Sequence, residues 1–146
     1  MIYQNYLDNG FIFAGFIVKN ESIKKKHKTK MFWEEGFDPK GKMGVYILAN
    51  GPLTHKNILK IGESQNLFHR FQCYESHTGP TNTFVRDSME FDKPIKVLFL
   101  ECPSFEVGFG GVKVPSGINY RILEKKLIEQ YELQNQSLPI WNKGRS

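Results

Sequence analysis

Two charged residues sit where apolar ones belong. In NLFHRFQCY, residues 66–74, Leu67, Phe71 and Tyr74 recur at i, i+4 and i+7 and define an apolar helical stripe, yet Arg70 falls inside it. Further on, Tyr120, Leu123, Leu127, Ile128 and Tyr131 form a second stripe with Arg121, Lys125, Glu129 and Glu132 mostly outside it, and Glu124 is aligned with the apolar set. Taken as residues alone, Arg70 and Glu124 allow two readings. They could pair as a buried ion pair bridging the two helices, a poor stabiliser because both charges must be desolvated. Alternatively, both reach a polar site on a sheet surface, where the carboxylate holds a divalent cation and the guanidinium meets a phosphate.

The elements that would position these groups are readable. GVYILAN (44–50) and ILKIG (58–62) are β-rich runs joined by a loop containing Gly51, Pro52 and Asn57, the pattern of an antiparallel hairpin. Alternation puts Gly44, Tyr46 and Leu48 on one face, and Ile58, Lys60 and Gly62 on one face of the partner, which makes Tyr46 and Lys60 candidate cross-strand neighbours. Ordinary packing of a strand tyrosine and edge protection by a strand lysine account for the same residues. A helix follows from Asn66 to about Glu75, IKVLFLE (95–101) is an apolar third strand, and a second helix runs from Ile118 to about Leu133 with Ser116 or Asn119 as cap. SHTGPTNT reads as a loop, TFVRDSMEF as a short helix, and PSFEVGFGGVKVPSG as an irregular surface loop. The N-terminal part holds a strand or hairpin around FIFAGFIVKN and the basic run IKKKHKTK, either a solvated face or a phosphate-contacting arm. The expected class is a single α+β unit without internal repeats.

Composition narrows the function classes. The chain has 146 residues, 24% charged and 40% apolar, which excludes a disordered or fibrous protein. A net charge of +5 is compatible with a polyanionic partner without requiring one. Cys73 and Cys102 lie far apart with no CxxC, against a zinc site or disulfide scaffold and in keeping with a reducing cytoplasm. FIFAGFIV (11–18) is too short to span a bilayer and lacks a signal-peptide pattern, so neither a membrane nor export is expected.

GVY at 44–46, KIG at 60–62, ESQNLFHRF with Arg70 eight positions after Gly62, Glu124 on a late helix and Asn142 in PIWN occur in an order and spacing that resembles the GIY-YIG nuclease family, over about residues 43–143. The resemblance implies a three-stranded antiparallel sheet flanked by helices (43–146), preceded by an N-terminal arm (1–42) for DNA contact or dimerisation. It implies hydrolysis of DNA phosphodiesters with one divalent cation, Mg²⁺ or Mn²⁺, leaving 5′-phosphate and 3′-hydroxyl ends. Carried over by position, Tyr46 matches the first motif tyrosine, Arg70 the arginine, Glu124 the metal-binding glutamate and Asn142 the late asparagine. Tyr74 stands where the family often has His or Tyr. Lys60 replaces the usual first tyrosine of the second motif, as in a restriction-enzyme branch of the family, which leaves open whether Tyr46 or Lys60 activates the water. The expected protein is a small homodimeric restriction endonuclease acting in the cytoplasm. A phage or mobile-element nuclease of relaxed specificity and a non-catalytic nucleic-acid-binding module are the alternatives.

Overall fold

The computed structural model describes residues 6–19, 29–51, 57–76, 94–102, 105–107, 109–111, 113–115 and 119–142. Strands β1 (Ile12–Lys19), β2 (Thr29–Trp33), β3 (Gly44–Ala49) and β4 (Ile58–Ser64) precede helix α1 (Leu67–Ser76). Strand β5 (Ile95–Glu101), short strands β6 (Phe105–Val107) and β7 (Lys113–Pro115), helix α2 (Tyr120–Asn135) and a closing 3₁₀ turn (Ile140–Asn142) follow.

The long strands form one antiparallel sheet in the order β2-β1-β5-β3-β4. This corrects the three-stranded expectation. The N-terminal hairpin is hydrogen-bonded into the sheet, because β1 pairs along β5, with Ile17 opposite Ile95 and Ile12 opposite Phe99. The Gly-rich segment after Cys102 is also more regular than its composition suggests, since β6 and β7 pair as a small antiparallel hairpin. TFVRDSMEF and the greater part of SHTGPTNT lie outside the described residues, as does most of the basic run.

All six residues of β3 are buried, which requires cover on both faces. On one face Tyr46, Leu48, Val97 and Phe99 pack with Leu67 and Phe71 of α1. On the other, Val45, Ile47, Ala49, Ile61 and Leu98 pack with Tyr120 and Tyr131 of α2, and Leu123, Leu127 and Ile128 lie alongside, as their spacing predicts. Both helices start on asparagine caps. The Asn66 side chain accepts from the His69 N–H at 3.1 Å, and Asn119 accepts from the N–H groups of Arg121 and Ile122 at 2.9 and 3.3 Å. Burial raises the Tyr6 and Tyr131 hydroxyl pKa values, with the charge of Tyr131 a further contribution for Tyr6, so both stay protonated within this second layer. Among the described residues, no helix is long and apolar enough to cross a membrane.

Candidate functional site

The register of the β3–β4 hairpin decides what faces Tyr46. A bulge at Leu59 shifts the pairing, so that Ala49 opposes Ile58 but Leu48 opposes Lys60 and Tyr46 opposes Gly62. Tyr46 and Lys60 are thus cross-strand neighbours on the diagonal. Diagonal separations of about 7–8 Å remain within reach of a lysine. The bulge also corrects the expected face of Ile58, which packs with Val45 and Ile47 on the α2 side, while Lys60 and Gly62 lie on the Tyr46 side.

The glycine opposite Tyr46 has a steric reason. A Cβ on Gly62 would collide with Cζ of the Tyr46 ring and come within 2.6 Å of its hydroxyl and 2.8 Å of Cε2. The ring crosses the β4 backbone and fits only because residue 62 has no side chain. Gly44, two residues before the tyrosine, meets a similar restriction, since a Cβ there would run into the Leu100 carbonyl of β5. The phenol is almost fully buried at 1% exposure, and Phe71 of α1 meets it edge-to-face at 5.3 Å and 71°. Trp33 also meets Phe71 edge-to-face, at 5.3 Å and 71°, and Trp141 of the closing turn lies against the same cluster.

Arg70 sits in the first turn of α1, its N–H donating to Asn66 O at 3.0 Å, one residue before the phenylalanine that touches Tyr46. It is half-buried, as the stripe predicts, whereas His69 is exposed and lies 3.6 Å from the half-buried Cys73 Sγ. Tyr74 follows one turn after Arg70 on the same helix. The helix start is tied down twice: Ser64 Oγ accepts from the Asn66 N–H, and the Leu67 N–H donates to Lys42 O, both at 3.0 Å.

Ser64, Glu124 and Asn142 are the buried polar side chains among the described residues. Glu124, 5% exposed, lines a cleft of about 520 Å³ between α2 and the β4 edge, with Glu63, Arg121, Ile122, Lys125, Ile128 and Glu129. Glu63 was not anticipated. The signal for it is parity along β4, which sends Glu63 to the face opposite Gly62 once the bulge is known. Tyr46, Lys60 and Arg70 do not line this cleft. They belong to the α1 side, and β4 is the strand that carries groups to both sides.

The outer edge of β4 is closed by Asn142. Its Nδ2 donates to Ile61 O and its Oδ1 accepts from the Ile61 N–H, both at 2.9 Å, so one side-chain amide satisfies the two backbone groups that face away from β3. Asn142→Ala leaves both Ile61 groups buried without a partner, and a loss of about 2–4 kcal/mol is expected. Urea denaturation measures the loss, and faster hydrogen exchange at the Ile61 amide localises it. Unchanged protection at Ile61 would contradict the clamp.

As a metal centre the site is sparse. Among the described residues, no three His, Cys, Asp or Glu side chains converge. A buried carboxylate in a solvent-reaching cleft nevertheless suits a hard cation such as Mg²⁺, which keeps several waters and takes one or two carboxylates plus substrate phosphate oxygens.

No protein-family model matches the chain, and no curated protein matches it in sequence. Among solved structures it is similar to a restriction endonuclease, HPY188I, in complex with product DNA. The TM-score is 0.53 at 18% identity, covering 98% of this chain and 84% of that one. The likeness extends over both the N-terminal hairpin and the region of the motif residues. At this identity the likeness speaks for architecture alone, and the chain shares the fold of that structure.

Proposed function

We propose that the protein is a divalent-metal-dependent DNA endonuclease of the GIY-YIG type, cutting phosphodiesters to 5′-phosphate and 3′-hydroxyl ends, and most like a type II restriction enzyme. The observation that carries the reading is the seating of the Tyr46 ring over Gly62. It explains in steric terms why a tyrosine in GVY and a glycine in KIG occur together, and it puts the phenol on the face that also carries Lys60 and helix α1. The likeness to an endonuclease solved on DNA supports the same reading.

Hydrolysis needs a water in line with the leaving oxygen, a donor for the charge gathering on phosphorus, and relief for the departing alkoxide. Tyr46 is the general base. A free phenol has a pKa of about 10, so it needs nearby positive charge to work near neutrality. Lys60, its diagonal neighbour, supplies that charge. Arg70 donates to the scissile phosphate, and its bonds strengthen as charge builds in the transition state. Tyr74, one turn further along α1, assists in holding that phosphate. Glu124 would hold Mg²⁺ or Mn²⁺, which when bound neutralises charge on the leaving oxygen. Asn142 keeps the β4 edge straight between Lys60 and Gly62, so its part in catalysis is positional. Strand β4 lies between the two sets, with the phenol, lysine and arginine on the α1 side and the carboxylate on the α2 side. Cutting both strands with one centre per chain calls for a two-fold dimer, with the N-terminal hairpin and the Gly-rich segment available for contacts to DNA or to the second copy.

The test is incubation of mixed duplex DNA with the purified chain and Mg²⁺, followed by sequencing of the ends. Cleavage that stops in EDTA and leaves 5′-phosphates is expected, at one recurring sequence for a restriction enzyme and at scattered positions for a nuclease of relaxed specificity. DNA binding without any metal-dependent cleavage would instead identify a non-catalytic binding module.

A further inference from the structure

We infer that Arg121 and Lys125 form a phosphate-binding pair on the wall of the Glu124 cleft, gripping the DNA backbone beside the bond to be cut. The inference rests on the nuclease reading and adds to it two residues outside the motifs.

Four observations lead to it. Arg121 and Lys125 both line the cleft that holds Glu124, so they border the place where a phosphodiester would meet that carboxylate. They lie four residues apart on α2, on the same face, where like charges repel. Next, α2 is charged against its own dipole. Its first turn has no acidic residue and its last turn no basic one, and Arg121 stands in that first turn, at the positive end. Finally, although three carboxylates share the cleft wall, neither cation is held in an ion pair among the described residues. Arg121 instead lies over the Tyr120 ring at 5.5 Å. Two cations that repel each other, one of them at the positive end of the helix dipole, make an arrangement that an anion relieves. A nucleic-acid backbone, which presents phosphates in succession, relieves both at once.

Neutral substitutions separate this role from ordinary surface solvation. In EDTA, where binding is observed without cleavage, the affinity of a short fluorescent duplex is measured against salt concentration for the parent, Arg121→Gln, Lys125→Gln and the double variant. Each single substitution is expected to reduce the slope of log K against log salt by about 1, and the double by about 2. Lys126→Gln, on the same helix but outside the cleft lining, is expected to keep the parental slope. The double variant is expected to unfold at the same or a higher temperature, since a repulsion has been removed. A double variant with the parental slope overturns the inference while leaving metal-dependent cleavage, and with it the nuclease reading, intact. A double variant that unfolds at a clearly lower temperature assigns the pair a structural role and also overturns it. Failure of the parent to bind DNA at low salt removes both readings.

Discussion

Replacing Glu124 by glutamine is expected to lower the rate of Mg²⁺-dependent nicking by a factor on the order of 10² to 10³, the usual cost of removing one preorganised electrostatic group from a water-poor site, while DNA binding stays near that of the parent. A carboxylate at 5% exposure has given up most of its hydration, and on stability grounds alone an apolar residue would serve that helix stripe as well. Its retention at the wall of an open cleft points to a charge that is used. Glutamine keeps the volume and one carbonyl oxygen but removes the negative charge and the affinity for a hard cation. The melting temperature is therefore expected to move by no more than about 4 °C, the shift that about 1 kcal/mol produces in a chain of this size. Raising the metal concentration should restore part of the activity if metal affinity is what was lost. Nicking by the variant at the parental rate would rule out the role of Glu124, and a matched collapse of stability and activity would make the residue structural.

Gly62→Ala is expected to damage both stability and activity, through the same phenol. The new methyl would occupy space held by the Tyr46 ring, with the hydroxyl only 2.6 Å from the ideal Cβ position. The ring cannot swing clear, because it is fully enclosed and Phe71, itself buried and in contact with Trp33, meets it edge-on. Either the strand or the ring has to yield, and overpacking of this kind costs about 1–3 kcal/mol. A catalytic group displaced by about 1 Å loses roughly 10²-fold in rate. Tyr46→Phe serves as the control: it keeps the packing, removes the hydroxyl and is expected to abolish cleavage with little change in the denaturation midpoint. The double variant Gly62→Ala/Tyr46→Phe should cut no more slowly than Tyr46→Phe alone, since both changes act on one group. Full stability and full activity in Gly62→Ala would refute the proposed seating of the ring.

Local patterns were sufficient for the elements of the hairpin, the third strand and both helices. The alternation in GVYILAN and ILKIG, the apolar run IKVLFLE, the helical stripes and the choice of cap between Ser116 and Asn119, which the structure gives to Asn119, each act within a few residues, and period and capping are short-range effects. The inward setting of Arg70 and Glu124 was legible for the same reason, and the structure leaves the first half-buried and the second buried.

What the tertiary structure decided are the choices with no local energy attached. One extra residue at Leu59 assigns Lys60 and Gly62 to the tyrosine's face and Glu63 to that of Glu124, and a strand's alternation is the same whichever face it turns inward. The number of strands depended on whether β1 found β5, a pairing between segments about eighty positions apart, settled by burial of Ala14 and Ile17 in the shared core. The place of Asn142 was likewise out of reach of any window, because its two hydrogen bonds go to a residue 81 positions earlier and exist only because β4 is an outer strand with backbone groups left to satisfy. Periodicity specifies what each segment becomes, whereas register, edges and the walls of a cleft come from packing and hydrogen bonding summed over the whole chain.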